Sequence, residues 1–407
     1  MSIRTSLLQT VMVCLLLLLT CASTNAQDTL KSKPVAKKWF ETINLRGYMQ
    51  VRYNRIAETN PKLKCEQCDR SWGETGGIFF RRIRLIFSGN VHERVYFYLQ
   101  PDLASSASTT GLHFAQIRDA YFDLALDTKK EYRFRFGQSK IPFGFENMQS
   151  SQNRLALDRN DALNSAVSNE RDMSAFFYYA PAKIRDRFAK LVGDGLKGSG
   201  DYGVIGVGVF NGQTANRPEG NDGLHVVGRV SYPFELKNGQ IIEAGIQAYT
   251  GQVVVSTLTK GVIGINSLYE YKDERVAGSI SVYPQPFGFQ AEYNIGTGPE
   301  YNPVNNTIEQ KNLKGGYALL SYKIDTKNHQ TIIPFVRYQT YEGGKKHELD
   351  SRKHRVRETE IGVEWQPFKN FEAVAMYTIS DRTAEDGVLK TNPQQGNLLR
   401  LQLQLNF

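Results

Sequence analysis

The amino-acid sequence predicts an all-β fold: a transmembrane, antiparallel, up-and-down β-barrel of about 16 strands, with short periplasmic turns and long external loops. Three observations predict it. Apolar and polar residues alternate with period two over segments comparable to the roughly 9–11 residues that cross a bilayer at a tilt. Short and long connections alternate between these segments. In the last segment Leu399, Leu401, Leu403, Leu405 and Phe407 alternate with Arg400, Gln402, Gln404 and Asn406. A strand so long and apolar invites aggregation as a free edge, and pairing it with the first strand removes the edge.

The composition of the 407 residues agrees. A mean hydropathy of −0.42 excludes a helical membrane bundle, and beyond the first 20 residues no run reaches the roughly 18 apolar residues of a spanning helix. A barrel averages its lipid-facing and water-facing residues to a polar mean. With 22 Phe, 21 Tyr and 3 Trp, and a net charge of +9 from 50 basic and 41 acidic residues, the chain is not disordered.

Residues 1–26 read as a signal peptide, with Arg4, an apolar core from Val11 to Leu19, and Thr24-Asn25-Ala26 as cleavage site. A lipoprotein signal acylated on Cys21 is the alternative, with Thr20 larger than the residue usual before it. A short periplasmic segment, 27–39, leads to the barrel, 40–407. In the first strand, over 42–54, Ile43, Leu45, Gly47, Met49, Val51 and Tyr53 share one face, and Asn44, Arg46, Tyr48, Gln50, Arg52 and Asn54 the other. Strands over 82–91, 95–102, 118–126 and 132–137 follow. They turn Arg82, Arg84, Tyr96, Tyr98, Asp119, Tyr121, Asp123, Arg133 and Arg135 toward the lumen. Further strands are expected over 173–180, 201–211, 224–233, 241–250, 275–284, 286–296, 312–324, 330–342, 355–366, 371–381 and 397–407. Long external loops are expected over 55–78, 103–114, 139–171, 211–223, 251–274, 297–311, 343–354 and 382–396. The long segment 181–200 falls where a short turn is due. Ile184, Phe188, Leu191 and Val192 stand at helical spacing there, which predicts a short helix at the inner rim. Trp39, Phe40, Tyr132, Tyr232, Phe234, Tyr283, Phe287, Trp365, Phe368 and Phe371 lie beside the short turns, as an interfacial aromatic belt requires.

Two motifs carry the functional expectation. Phe80-Arg81-Arg82-Ile83-Arg84 puts three guanidiniums in four residues. Alternation sends Arg82 and Arg84 to the lumen and leaves Arg81 outward or at the loop-side rim. With Arg46, Arg52, Arg133 and Arg135 they form a basic stripe, and guanidinium suits phosphate and carboxylate. Rings of such cations favour anions in a pore. Against this, Asp119, Asp123, Glu243, Glu292, Glu358, Glu360 and Glu364 also fall on inward faces, so these arginines either meet solutes or pair with the wall's own acids. The second motif runs from Phe136 to Glu146, where Pro142 and Gly144 stop a strand and a polar segment, 139–171, begins. It either folds into the lumen, with Lys140 at the narrowing, or lies outside as a surface loop.

Arg81-Arg82 before an alternating strand, the tract Gln116-Ile117-Arg118-Asp119-Ala120-Tyr121, and Gly-Gln-x-Lys-x-Pro-Phe-Gly-x-Glu from Gly137 resemble the phosphate-selective porin O and P family. Glu274-Arg275-Val276 and Gln290-Ala291-Glu292-Tyr293 fit the same pattern, and the likeness runs from about residue 40 to the C-terminus. The terminal Phe407 is also similar to the assembly signal of bacterial outer-membrane proteins. The resemblance implies a sixteen-stranded, usually homotrimeric channel in outer-membrane lipid, passing inorganic anions such as phosphate. It gives Arg81, Arg82 and Lys140 the binding roles. The chain departs from the family in its inward carboxylates, which bear on phosphate selectivity more than on fold.

Cys65 and Cys68 read as a local disulfide in an exported chain, or as half of a metal site that lacks a second pair. Six scattered His and no catalytic or phosphate-loop motif give no enzyme, no cofactor and no nucleic-acid partner. The function expected is passive diffusion of small anions, possible solutes being phosphate or polyphosphate. A surface receptor or adhesin working through loops such as 211–223 and 297–311 is the alternative.

Overall fold

The computed structural model describes residues 38–59, 77–104 and 114–407. The signal peptide expected over residues 1–26, residues 27–37 and the pair Cys65 and Cys68 lie outside them. The chain divides into Met1–Glu41 and Thr42–Phe407, and the second unit is the barrel.

Sixteen strands run β1 (Asn44–Thr59), β2 (Gly77–His92), β3 (Val95–Asp102), β4 (Gln116–Ala125), β5 (Tyr132–Lys140), β6 (Arg171–Tyr179), β7 (Ile205–Phe210) and β8 (His225–Glu235). They continue as β9 (Ile241–Val254), β10 (Glu270–Val282), β11 (Phe287–Asn302), β12 (Thr307–Tyr322), β13 (Thr331–Gly344), β14 (Lys353–Phe368), β15 (Phe371–Glu385) and β16 (Pro393–Asn406). The two-residue stretch Ile324–Asp325 extends the hairpin between β12 and β13. Each strand pairs antiparallel with the next. β16 pairs with β1, Met49 opposite Leu405 and Tyr53 opposite Leu401, so the sheet closes without an edge. Closure is what a membrane demands, because lipid offers no partner to an unpaired amide. Gly47 sits at this seam, where an added Cβ would lie 2.5 Å from the Arg84 carbonyl and 2.7 Å from the Phe407 ring.

Alternation sorts the side chains as expected. On β16, Leu405 is 44% exposed and Gln404 2%. Of the expected belt, Trp39, Phe40, Tyr132, Tyr232, Phe234, Phe287, Trp365 and Phe368 are exposed. Tyr283 is not, because the period of β10 carries it inward, where its hydroxyl donates to Glu243 at 2.6 Å. The strands run further at the loop end than expected. The stretch 297–311, on which the receptor reading leaned, is mostly hairpin, with β11 and β12 joined through residues 303–306.

Two of the register shifts in the wall turn an arginine. Gln50 faces Arg82 while Val51 faces Phe80, which leaves Arg81 as the extra residue on β2. Gln100 faces Asp119 while Pro101 faces Ile117, which leaves Arg118 extra on β4. An extra residue shifts the period of two by one. Arg81 therefore turns inward beside Arg82, against the alternation argument that put it outward or at the rim. Arg118 turns inward too.

The interior is crossed by chain. The segment 141–170 is buried over most of its length and carries α1 (Phe145–Met148) and α2 (Asp161–Ala166). Asn160 caps α2 by accepting the Leu163 amide at 3.0 Å. Ile141, Phe143, Leu163 and Val167 pack on inward Phe176, Tyr178, Phe210 and Tyr249. Leu155, Ala156 and Leu157 pack on Tyr317, Leu319, Ile333, Phe335, Val374 and Met376. Apolar side chains on the inward faces of β6–β9 and β12–β15 are thus covered by this segment. The helix expected within 181–200 is α3 (Ala182–Gly193). Its Ile184, Phe188 and Leu191 pack on Phe145, Leu196, Ile241 and Tyr283, while Val192 stays partly exposed.

Candidate functional site

With β6–β9 and β12–β15 occupied, the open space inside follows the β1–β5 wall. Two cavities lie there among the described residues. One, of about 750 Å³, is lined by Arg81, Arg82, Arg84, Arg118, Arg154, Arg159 and Arg217. The same lining holds four carboxylates, Asp102, Asp158, Glu170 and Glu348. The other, of about 250 Å³, is lined by Arg46, Tyr96, Tyr98, Tyr121, Arg135, Lys140, Arg171 and Tyr202, among others. The first lies toward the loop ends of β2 and β4, the second toward the β2–β3 turn.

Most of the charges are engaged with one another. Arg84 pairs with Asp102 at 2.8 Å and donates to the Tyr48 hydroxyl at 2.7 Å. Arg118 reaches the same Asp102 at 3.4 Å. Arg135 grips Asp123 with two donors at 2.7 and 2.9 Å, and Arg133 meets Asp201 at 2.8 Å. Arg171 pairs with Asp119 at 2.9 Å. Arg52 is buried beneath the inner segment, donating to Asp158, Gln402 and the Leu157 carbonyl.

Asp158 is the anchor of that segment on the β1–β2–β16 wall. It meets Arg52 at 3.0 Å, Arg81 at 3.4 Å and Arg400 at 2.6 Å. Burial pushes its pKa up, but these guanidiniums outweigh burial and hold the carboxyl below its ordinary range. Glu170, at the other end of the segment, gathers Arg154 at 3.1 Å, Arg159 at 3.3 Å and Arg171. Burial raises its pKa, and Lys140 with the three arginines lowers it further than that, to well below the usual value. On the far side Glu146 meets Arg337 at 2.5 Å, and Ser165 accepts from Arg275 at 2.6 Å.

Two of the expected residues stand apart. Among the described residues, no carboxylate lies within 4.0 Å of Arg82, whose Nη1 donates to Gln50 at 2.7 Å and whose Nε has no partner. No carboxylate lies that close to Arg46 either. Lys140 is differently employed: its ammonium donates to the carbonyls of Asn147, Met148 and Gln149 at 2.8, 3.3 and 2.5 Å, which fixes the first turn of the inner segment. Arg118, Arg154, Arg159 and Arg171 escaped the sequence reading. Strict alternation would put Arg118 on the same face as Ala120 and Phe122, where an arginine costs about 2–4 kcal/mol at mid-bilayer; that cost hints at a bulge without placing it.

Residues 63–407 match the sequence profile of phosphate-selective porin O and P. The chain belongs to this family. No curated protein matches the sequence. Among solved structures, the outer-membrane channel DcaP of Acinetobacter baumannii is 14% identical with a TM-score of 0.56, over 90% of this chain and 97% of that one. OmpT of Vibrio cholerae, solved in a trimer form, is 10% identical with a TM-score of 0.54, over 90% and 99%. An anion-selective porin from Comamonas acidovorans is 10% identical with a TM-score of 0.52, again over 90% and 99%. At these identities the likeness shows the barrel fold, and the family match makes the chain a bacterial outer-membrane porin.

Proposed function

We propose that this porin lets small anions, phosphate or polyphosphate among them, diffuse passively along its β1–β5 wall. In this reading the segment 139–171 narrows the lumen from the opposite side, and the working form is a homotrimer. The observation that carries it is the loop-side cavity, where seven arginines face four carboxylates. Two of those carboxylates, Asp158 and Glu170, are shared among several cations, so the lining keeps a positive excess. Arg82, with no acid beside it among the described residues, is the residue we assign to meeting the solute, and a fixed cation raises the local anion concentration through its field. The family description and the trimer form of one structural neighbour support the anion preference and the assembly.

The test is a planar bilayer with a salt gradient. Stepwise conductance with a reversal potential on the anion side is expected, and inorganic phosphate should reduce the chloride current. A cation-side reversal potential overturns the reading. Chemical cross-linking in detergent checks the trimer.

A further inference from the structure

The turn-side cavity differs in kind from the arginine-rich one. Four tyrosines, Tyr96, Tyr98, Tyr121 and Tyr202, line it. Each is partly exposed inside the barrel rather than to lipid. Tyr98 and Tyr121 lie nearly parallel, with ring centroids 5.1 Å apart and planes 10° from one another. The Arg135 guanidinium sits 3.9 Å from the Tyr121 ring centroid and 5.8 Å from that of Tyr202, and so holds the stacked pair in place from the Tyr121 side. The other charges of the cavity are spent. Asp119 is taken by Arg171, Arg135 by Asp123, and Asp201 by Arg133 and by Arg185 at 2.8 Å. Lys140 is held by carbonyls. Arg46 remains, exposed on the lining and without a carboxylate within reach among the described residues.

We propose that this cavity selects, among anions, those that join one negative group to a flat ring, with Arg46 taking the charge and the Tyr96 and Tyr98 rings taking the ring face. The inference rests on the anion-porin reading and deepens it. A hydrated inorganic anion gains little from aromatic surface. A ring gains burial of its apolar faces and the offset or edge contacts that the aromatic quadrupole favours. The Arg135 guanidinium already sits over the Tyr121 ring, as guanidinium does on aromatic faces, which leaves Tyr96 and Tyr98 for the solute. The tyrosines of the lipid-facing belt need only an interface to explain them; these four face the route that solutes take.

The experiment uses the whole protein in planar bilayers, with chloride current reduced by inorganic phosphate, n-butyl phosphate or phenyl phosphate. The three probes share the charged group and differ in what it carries. Phenyl phosphate should be held about two- to twelvefold more tightly than butyl phosphate, as for an aromatic contact beyond simple burial. That ratio should approach one in Tyr98→Leu and, should that variant fail to fold, in Tyr96→Leu. Arg46→Gln should weaken all three probes alike. Equal binding of phenyl and butyl phosphate, or a ratio unmoved by the tyrosine variants, overturns this inference while inorganic phosphate still competing leaves the anion reading in place. A cation-preferring channel overturns both.

Discussion

Arg82→Gln isolates the field of one cation. Among the described residues the side chain has no acid to neutralise, so its loss orphans no carboxylate there, and glutamine can still donate to Gln50 where Arg82 does at 2.7 Å. An anion passing at about 4 Å from a unit charge gains about 1 kcal/mol in bulk water and about 4 at an effective dielectric of 20. Arg81, Arg84 and Arg154 remain on the lining, so the lower figure is used. It corresponds to roughly fivefold in the partitioning of the anion, and because a passing cation is repelled where the anion is attracted, the anion-to-cation permeability ratio should fall by at least about fivefold. The assay is the reversal potential across a tenfold KCl gradient centred near 0.1 M. At 1 M salt the Debye length shortens from about 10 to about 3 Å, and the effect should shrink to less than about twofold. A ratio unchanged at low salt refutes the role of Arg82. An equal fall at both salts refutes the electrostatic account, because a rearranged wall is not screened.

Asp158→Asn should release the inner segment from the β1–β2–β16 wall, since it leaves Arg52, Arg81 and Arg400 without their shared acid. Breaking a buried pair costs about 3–5 kcal/mol, read as lost hydrogen-exchange protection around residues 150–160; unchanged protection would sink the anchor. Gly47→Val should lower the denaturant midpoint of the folded barrel by the equivalent of about 1–3 kcal/mol of overpacking, because its side chain would strike the Arg84 carbonyl and the Phe407 ring. An unshifted midpoint would show that the seam yields at no cost. Acid should leave the inner segment docked down to about pH 4, the range of free carboxyls. Asp158 and Glu170 have folded pKa values below their unfolded ones. Their contribution is therefore complete above the unfolded values and lost only as pH falls through the folded ones. Loss of exchange protection between pH 8 and 5 would contradict this.

How much was legible in the sequence depends on the range of the interaction that decides each feature. The period of two is set residue by residue by the pleat, so the strands and the faces of Arg52, Arg84, Glu243 and Glu360 could be read directly. The helix within 181–200 showed itself by spacing, and the closing strand by an apolar edge that water would not tolerate. The inward phase of Arg81 and Arg118 could not be read that way, because a bulge is defined by which residue stands opposite on the neighbouring strand. Nor could the employment of Lys140, whose three carbonyl partners lie seven to nine residues on, in a turn that exists only once the segment folds inward.

By itself, then, the sequence determined a closed, membrane-crossing wall with charge on its inside, because alternation, length and an intolerable free edge are local or compositional facts. The tertiary structure alone decided which of those charges are cancelled. Asp158 and Arg400 stand 242 residues apart and meet at 2.6 Å. Electrostatic pairing depends on distance in space, and only the closed barrel with its inner segment docked sets those distances; among the described residues they leave Arg82 and Arg46 without an acid beside them, while Arg52, Arg84, Arg135 and Arg171 are matched.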